Sequence, residues 1–167
     1  STETGRRFLE YSAQSNLKKV VLECGGKNPC VVLEDAENLD YVAEHAVNAA
    51  FWNAGQNCSA ASRLIVHKDV KDALLDRILA RVRDWKVGDP LDPANRIGAL
   101  IDKGHAAKVA GYLKGKPLVG GTPDGPYLSP TIYEVAKGDA LLTVEVFGPV
   151  LAVTEVASFD EAIAEAN

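Results

Sequence analysis

Short apolar runs of strand character alternate along this chain with longer stretches whose apolar residues recur at helical spacing. That alternation restricts the fold more than any other feature. After a helical opening, TETGRRFLEYSA, the segments KKVVLE (18–23) and CVVLED (30–35) read as strands joined by the turn CGGKNP (24–29). From Leu39 to Trp52 the period changes, with Val42, Ala43, Ala46, Val47, Ala50 and Phe51 on one helical face, and Gly55 lies where a glycine would end that helix. RLIVH (63–67) is the next strand. Asp69 is positioned to cap a helix whose stripe is Leu74, Leu75, Ile78, Leu79, Val82 and Trp85, closed by the prolines of GDPLDP. A helix near Lys103 to Leu113, a short KPLVGG strand, a GTPDGP turn, a PTIYEV strand and the apolar segment GPVLAVTEV complete the pattern. Strands and helices in this rhythm imply an α/β layered domain with a largely parallel sheet flanked by helices. No internal repeat, low-complexity tract or interdomain linker interrupts it.

With 167 residues and 47% hydrophobic composition the chain can bury one core of its own. The net charge of −5 and singly scattered basic residues argue against a nucleic-acid partner. Apolar stretches are short and interrupted, and no charged segment followed by an apolar one opens the chain, so neither membrane insertion nor export is expected. Three cysteines are too few and too uneven for a disulfide framework, which points to a reducing compartment such as the cytoplasm. The chain begins at Ser1, contains no methionine, and ends at Asn167 while the apolar pattern after the Ser158/Glu161 capping box is still running. It is expected to be a piece of a longer protein.

Metal binding is not expected, because Cys24 and Cys30 lack the close pairing of zinc ligands and have no histidine nearby. CGGKNP is not a phosphate loop of the G-x-x-x-x-G-K-[ST] type, since Val21 and Asn28 occupy positions that need glycine and a hydroxyl. His45, His67 and His105 have no acidic or cysteine neighbour at a suggestive spacing and read as surface or packing residues. Cys58 carries the sharper question. A free cysteine is usually a small buried hydrophobe. This one follows a helix stop, among Gln56, Asn57, Ser59 and Ala60, where a loop can expose it and backbone N–H groups can stabilise charge. Glu23 is the candidate partner: at the end of an apolar strand, burial would make it basic enough to accept a proton near neutral pH, the alternative being a strand-end carboxylate in water.

VLECGGKNP (21–29), FWNAGQNCSAASR (51–63) and VEVFGPV (144–150) resemble three signature segments of the aldehyde dehydrogenase superfamily, in the family's order and spacing. The opening STETGR resembles the segment whose serine approaches the coenzyme pyrophosphate, and the whole chain corresponds to about a third of such an enzyme. The resemblance implies that Cys58 is the nucleophile and Glu23 the general base, that Glu145 holds the nicotinamide ribose hydroxyls with Phe147 beside the ring, and that Ser1 contacts the pyrophosphate. It further implies that Cys24 lies beside the nicotinamide amide and that Trp52, Asn57 and Ser59 flank the aldehyde tunnel. Two positions depart from the pattern: Cys24 stands where leucine is common, and Val144 where a second acidic residue often precedes Glu145. On this resemblance residues 1–22 are the tail end of a coenzyme-binding region and residues 23–167 a catalytic domain truncated at its C-terminus.

The implied reaction is oxidation of an aldehyde to a carboxylic acid with NAD or NADP. Cys58 adds to the aldehyde to give a thiohemiacetal, hydride transfer leaves a thioester, and Glu23 activates the water that hydrolyses it. The residue that would read the ribose 2′-hydroxyl falls outside the chain, so NAD and NADP stay open. The oxyanion donors implied are the Cys58 backbone N–H and an asparagine upstream of Ser1. A homodimeric or homotetrameric parent is implied, and FWNAGQNC is similar to enzymes that oxidise aminoaldehydes. Two rival readings stay open: a folded but inactive module, and a thioesterase that uses Cys58 and Glu23 without redox chemistry. The second leaves Glu145 without a task.

Overall fold

The computed structural model describes residues 1–167. Its elements in chain order are helix α1 (Thr2–Gln14), strand β1 (Pro29–Val32), helix α2 (Leu39–Phe51) with a 3-10 turn (Trp52–Gly55), strand β2 (Arg63–His67) and helix α3 (Lys68–Val82). Helix α4 (Lys103–Ala110), strands β3 (Pro123–Asp124), β4 (Tyr127–Leu128) and β5 (Thr131–Glu134), a 3-10 turn (Ala140–Leu142), strand β6 (Val150–Val156) and helix α5 (Phe159–Ala166) follow. The main sheet has four strands in the order β1-β2-β6-β5, and every neighbouring pair is parallel, as the alternation with helices requires. Pro29 pairs with Arg63, and Arg63 with Ala152, so β1, β2 and β6 lie in step near their starts. β3 and β4 form a separate antiparallel hairpin over the GTPDGP turn.

The strands alternate between two cores. Leu64 and Val66 of β2 join the large core of α2, α3, β5 and β6, whereas Ile65 turns to the other face and packs with Val156 and Ala162 of α5. Of the stripe read from the sequence, Leu74, Leu75, Ile78 and Val82 are buried on α3. Trp85 lies beyond the end of that helix yet stays in the core, its ring 6.1 Å from Phe51 in an edge-to-face contact. Ser158 caps α5 and Asp102 caps α4 through side-chain oxygens that accept from the third residue on.

The structure differs from the sequence expectation in three elements. KKVVLE forms no strand: residues 18–28 have no neighbouring strand to satisfy their backbone groups, and Val21 is 83% exposed. A strand exists only with a partner, whatever its own propensity. KPLVGG is reduced to one bridge, Val119 with Ile132. Finally, α3 is capped by His67 and not by Asp69: the His67 Nδ1 accepts the Asp69 N–H at 3.4 Å, which leaves the proton on Nε2, 3.0 Å from the Ala157 carbonyl it donates to.

Ile78 is fully buried and Leu79 only partly. Ile78→Ala is expected to lower the unfolding free energy by about 2–5 kcal/mol, and Leu79→Ala by less. Urea denaturation of the two variants checks the order, and a reversed order would contradict the packing of α3.

Candidate active site

Three loops meet at one edge of the sheet because each leads into the start of a parallel strand. The loop with Gly25 and Gly26 runs into β1, the loop with Cys58 into β2, and the turn at Phe147 into β6. Their backbones approach to distances that exclude side chains. A Cβ on Gly26 would lie 2.3 Å from the Cys58 carbonyl oxygen, and one on Gly55 would lie 2.2 Å from that of Gly148. Gly25 is pressed against the Glu145 carboxylate in the same way, with Oε2 2.4 Å from the place of a Cβ.

The turn before Cys58 is unusual in its backbone. Asn53, Ala54 and Gly55 have φ of 54°, 55° and 65°, three left-handed residues in succession. Glycine adopts this freely, and Asn53 is helped by its own Nδ2, which donates to the Gln56 carbonyl at 2.9 Å. Ala54 has no such aid, at a cost of about 1–2 kcal/mol. The turn is tied outward by the Gln56 Oε1, which accepts the Ile101 N–H at 2.9 Å. Asn28 Nδ2 donates to the carbonyls of Cys58 at 2.7 Å and Ala60 at 3.2 Å, fixing the cysteine from the other side. Cys58 is exposed, and its thiol points toward the Asn57 Oδ1 at 3.9 Å. That same oxygen accepts from the backbone N–H of Ser59 at 3.1 Å and from its hydroxyl at 3.0 Å.

Glu145 is held by one oxygen only. Its Oε1 accepts the Gly26 N–H at 3.0 Å, and no protein donor is bound to Oε2. Two residues on, Phe147 has φ of 57°, a conformation that costs a bulky residue about 1–3 kcal/mol.

Ser1, Glu23, Cys24, Gly25, Cys58, His105, Lys108, Glu145 and Phe147 line one cavity of about 340 Å³. Six of the nine residues singled out from the sequence therefore share a space. Trp52, Asn57 and Ser59 do not line it, and Trp52 stands 65% exposed. A larger concavity of about 550 Å³, around Tyr112, Tyr133 and Leu141, contains no cysteine or histidine. Glu23 is exposed and lies in no strand, which corrects the expected burial at a strand end. Ser1 caps α1, its Oγ accepting the Thr4 N–H at 3.3 Å. The sequence reading missed His105 and Lys108 as residues of the cavity. They stand three apart on α4, the spacing that puts two side chains on one helix face, which was the available signal.

Behind the cavity, burial and then Arg63 lower the Lys27 ammonium to about 8, against an opposing pull from Glu145. Arg63 also holds the loop, its Nε donating to the Lys27 carbonyl at 3.0 Å while its other nitrogens donate to the Glu165 and Ala166 carbonyls at the end of α5. No helix is long and apolar enough to cross a membrane.

The profile of the aldehyde dehydrogenase family matches residues 1–167, and the chain belongs to that family. It is 55% identical to an aminoacetaldehyde dehydrogenase of Pseudomonas aeruginosa, over the whole of this chain and 35% of that protein. Among solved structures it is similar to a γ-glutamyl-γ-aminobutyraldehyde dehydrogenase from Burkholderia cenocepacia, with a TM-score of 0.96 and 41% identity over 100% of this chain and 36% of that one. It is also similar to a betaine aldehyde dehydrogenase from Staphylococcus aureus in complex with NAD+, with a TM-score of 0.91 and 32% identity over 99% of this chain and 35% of that one. The chain thus spans about a third of the length of these relatives.

Lys27 gives a pH test of the loop. The folded chain releases its proton near pH 8, whereas the unfolded chain keeps it to the ordinary value of 10.5, so the unfolded state binds more protons in between. Stability should therefore rise with pH across that window on account of Lys27. Burial raises the Cys30 thiol and works in the opposite sense above its ordinary 9.0, so the comparison is made with Lys27→Met, where only the lysine contribution disappears. Denaturation of both proteins between pH 7 and 10.5 should show the wild type gaining on the variant as pH rises. A constant difference would mean that the Lys27 ammonium is not held in a desolvated place.

Proposed function

We propose that this chain carries the nucleophile, the general base and part of the coenzyme pocket of an enzyme that oxidises an aldehyde to a carboxylic acid with NAD or NADP. Residues 1–22 close the coenzyme-binding region and residues 23–167 belong to the catalytic domain. The observation that carries the reading is the one cavity shared by Cys58, Glu23, Glu145 and Phe147, which come from three separate loops. A thioesterase would need only the first two. The added carboxylate and aromatic ring suit a nucleotide with ribose hydroxyls and a planar base, and family membership supports the same conclusion.

The donor set fits a nicotinamide dinucleotide. Glu145 Oε2 is left to accept from hydroxyl groups, the Phe147 ring offers an apolar face, and the Ser1 hydroxyl with the Lys108 ammonium suits phosphate oxygens. The neighbour solved with NAD+ favours NAD. When bound, the coenzyme supplies a hydride acceptor. Cys58 attacks the aldehyde carbon as a thiolate, forming the S–C bond and pushing the carbonyl electron pair onto oxygen. The Cys58 backbone N–H donates to that oxygen. Loss of hydride from the same carbon converts the adduct to a thioester on Cys58. Glu23 then takes a proton from water as its oxygen attacks the thioester, and Cys58 leaves as thiolate with the acid as product.

In the full-length protein, Cys58→Ser should lower aldehyde oxidation by more than about 10³-fold while coenzyme still binds. Glu23→Gln should give one burst of reduced coenzyme and an acyl group trapped on Cys58, visible by mass spectrometry. Steady acid production without that adduct would remove Glu23 from the role of base.

Aminoaldehydes are the substrate class we favour, on the strength of the aminoacetaldehyde and γ-glutamyl-γ-aminobutyraldehyde relatives. Trp52, an exposed indole six residues before the nucleophile, can meet a cationic substrate with its face. Trp52→Ala should then lower kcat/KM for a cationic aminoaldehyde by about 2–30-fold more than for an uncharged aldehyde of equal length. Equal losses for both would leave Trp52 as a wall without charge preference.

A further inference from the structure

We propose that His105 is a positioning residue for the coenzyme wall: by donating Nε2–H to the Phe147 carbonyl it keeps Phe147 in the left-handed conformation that builds its ring into the cavity. The inference rests on the functional reading above and assigns a task to a residue that reading leaves unused. The His105 Nε2 lies 2.6 Å from the Phe147 oxygen, and the two rings meet edge to face with centroids 5.9 Å apart. A carbonyl only accepts, so Nε2 carries the proton, and it does so in the neutral and the charged ring alike.

His105 is itself well placed to act as an anchor. Its backbone N–H donates to the capping Asp102 Oδ1 at 2.7 Å, and the segment before it is tied to the nucleophile turn by the Ile101 N–H on Gln56 Oε1 at 2.9 Å. After Phe147 the chain is packed flat on α4, since a Cβ on Gly148 would lie 2.8 Å from Val109 Cγ1. The Gly148 carbonyl in turn abuts Gly55. Contacts thus run from the cysteine turn through Gln56 and α4 to Phe147 and back to Gly55. Of these, only the His105 bond acts on the carbonyl of the residue whose φ of 57° a phenylalanine resists.

The test uses the full-length enzyme with NAD. His105→Ala should raise KM for NAD about five- to tenfold, the scale of one lost hydrogen bond, and leave KM for the aldehyde within about twofold. His105→Gln, which keeps an N–H donor, should recover most of the loss. His105→Asn, whose amide is too short to reach the carbonyl, should repeat the alanine result even if His105→Ala folds poorly. In a Phe147→Gly background, where glycine adopts the left-handed conformation unaided, His105→Ala should change KM for NAD by less than about twofold. An active wild type whose KM for NAD does not respond to His105→Asn, or responds equally in the Phe147→Gly background, would overturn the role. Variants that lose only thermal stability and kcat would do the same. A wild type with no NAD-dependent aldehyde oxidation would instead overturn the functional reading, and this role with it.

Discussion

The parallel pairing of β1, β2 and β6 is what the rest of the molecule depends on. Three strands running in one direction and in step deliver their preceding loops to one edge, so residues as distant in sequence as Glu23, Cys58 and Glu145 become neighbours. Ligands of open α/β sheets usually gather at the carboxyl ends of strands. Here the candidate site lies at the amino ends, and the carboxyl ends of β2 and β6 serve structure: His67 finishes β2 by capping α3 and bonding the turn after β6.

Parallel pairing brings the loops near, but their final closeness is set by missing side chains. Gly26 against the Cys58 carbonyl, and Gly55 against the Gly148 carbonyl, leave no room even for a methyl group. Backbone against backbone is a stiff contact, because neither partner can move aside by changing a rotamer. The strain of Ala54 and Phe147 is consistent with this: left-handed conformations that a free loop would relax are retained because both flanks are fixed.

The legible part of the fold was the part written in periodicity. The stripe on α3 and the strand RLIVH follow from local spacing, and the turn glycines are recognisable because no other residue fits them. What depends on partners was not legible. KKVVLE has strand composition but no neighbour, and its end residue Glu23 is consequently in solvent. His67 replaces Asp69 as the cap because an imidazole at the strand end reaches the same N–H while its other nitrogen bonds Ala157, a choice that only the tertiary structure offers. Cys58 could be singled out from its loop setting. His105 left only its spacing from Lys108 on one face of α4, because its contact to Phe147 joins segments far apart in sequence.

Glu145 illustrates how the frame prepares the site before any ligand arrives. One carboxylate oxygen is anchored on the Gly26 N–H, and the other lies against Gly25, where a Cβ would displace it. The group therefore has a fixed orientation with one acceptor uncommitted, and a hydroxyl donor meets it without having to order it first. The same two glycines touch both the cysteine loop and the carboxylate, Gly26 against the Cys58 carbonyl and Gly25 against Glu145, so one turn spaces the two loops. A lysine sits immediately after them, and its ammonium is lowered to about 8 by burial and Arg63 despite the pull of Glu145. An ammonium with a value near 8 is still mostly protonated at neutral pH, so a positive charge accompanies the carboxylate at the glycine turn.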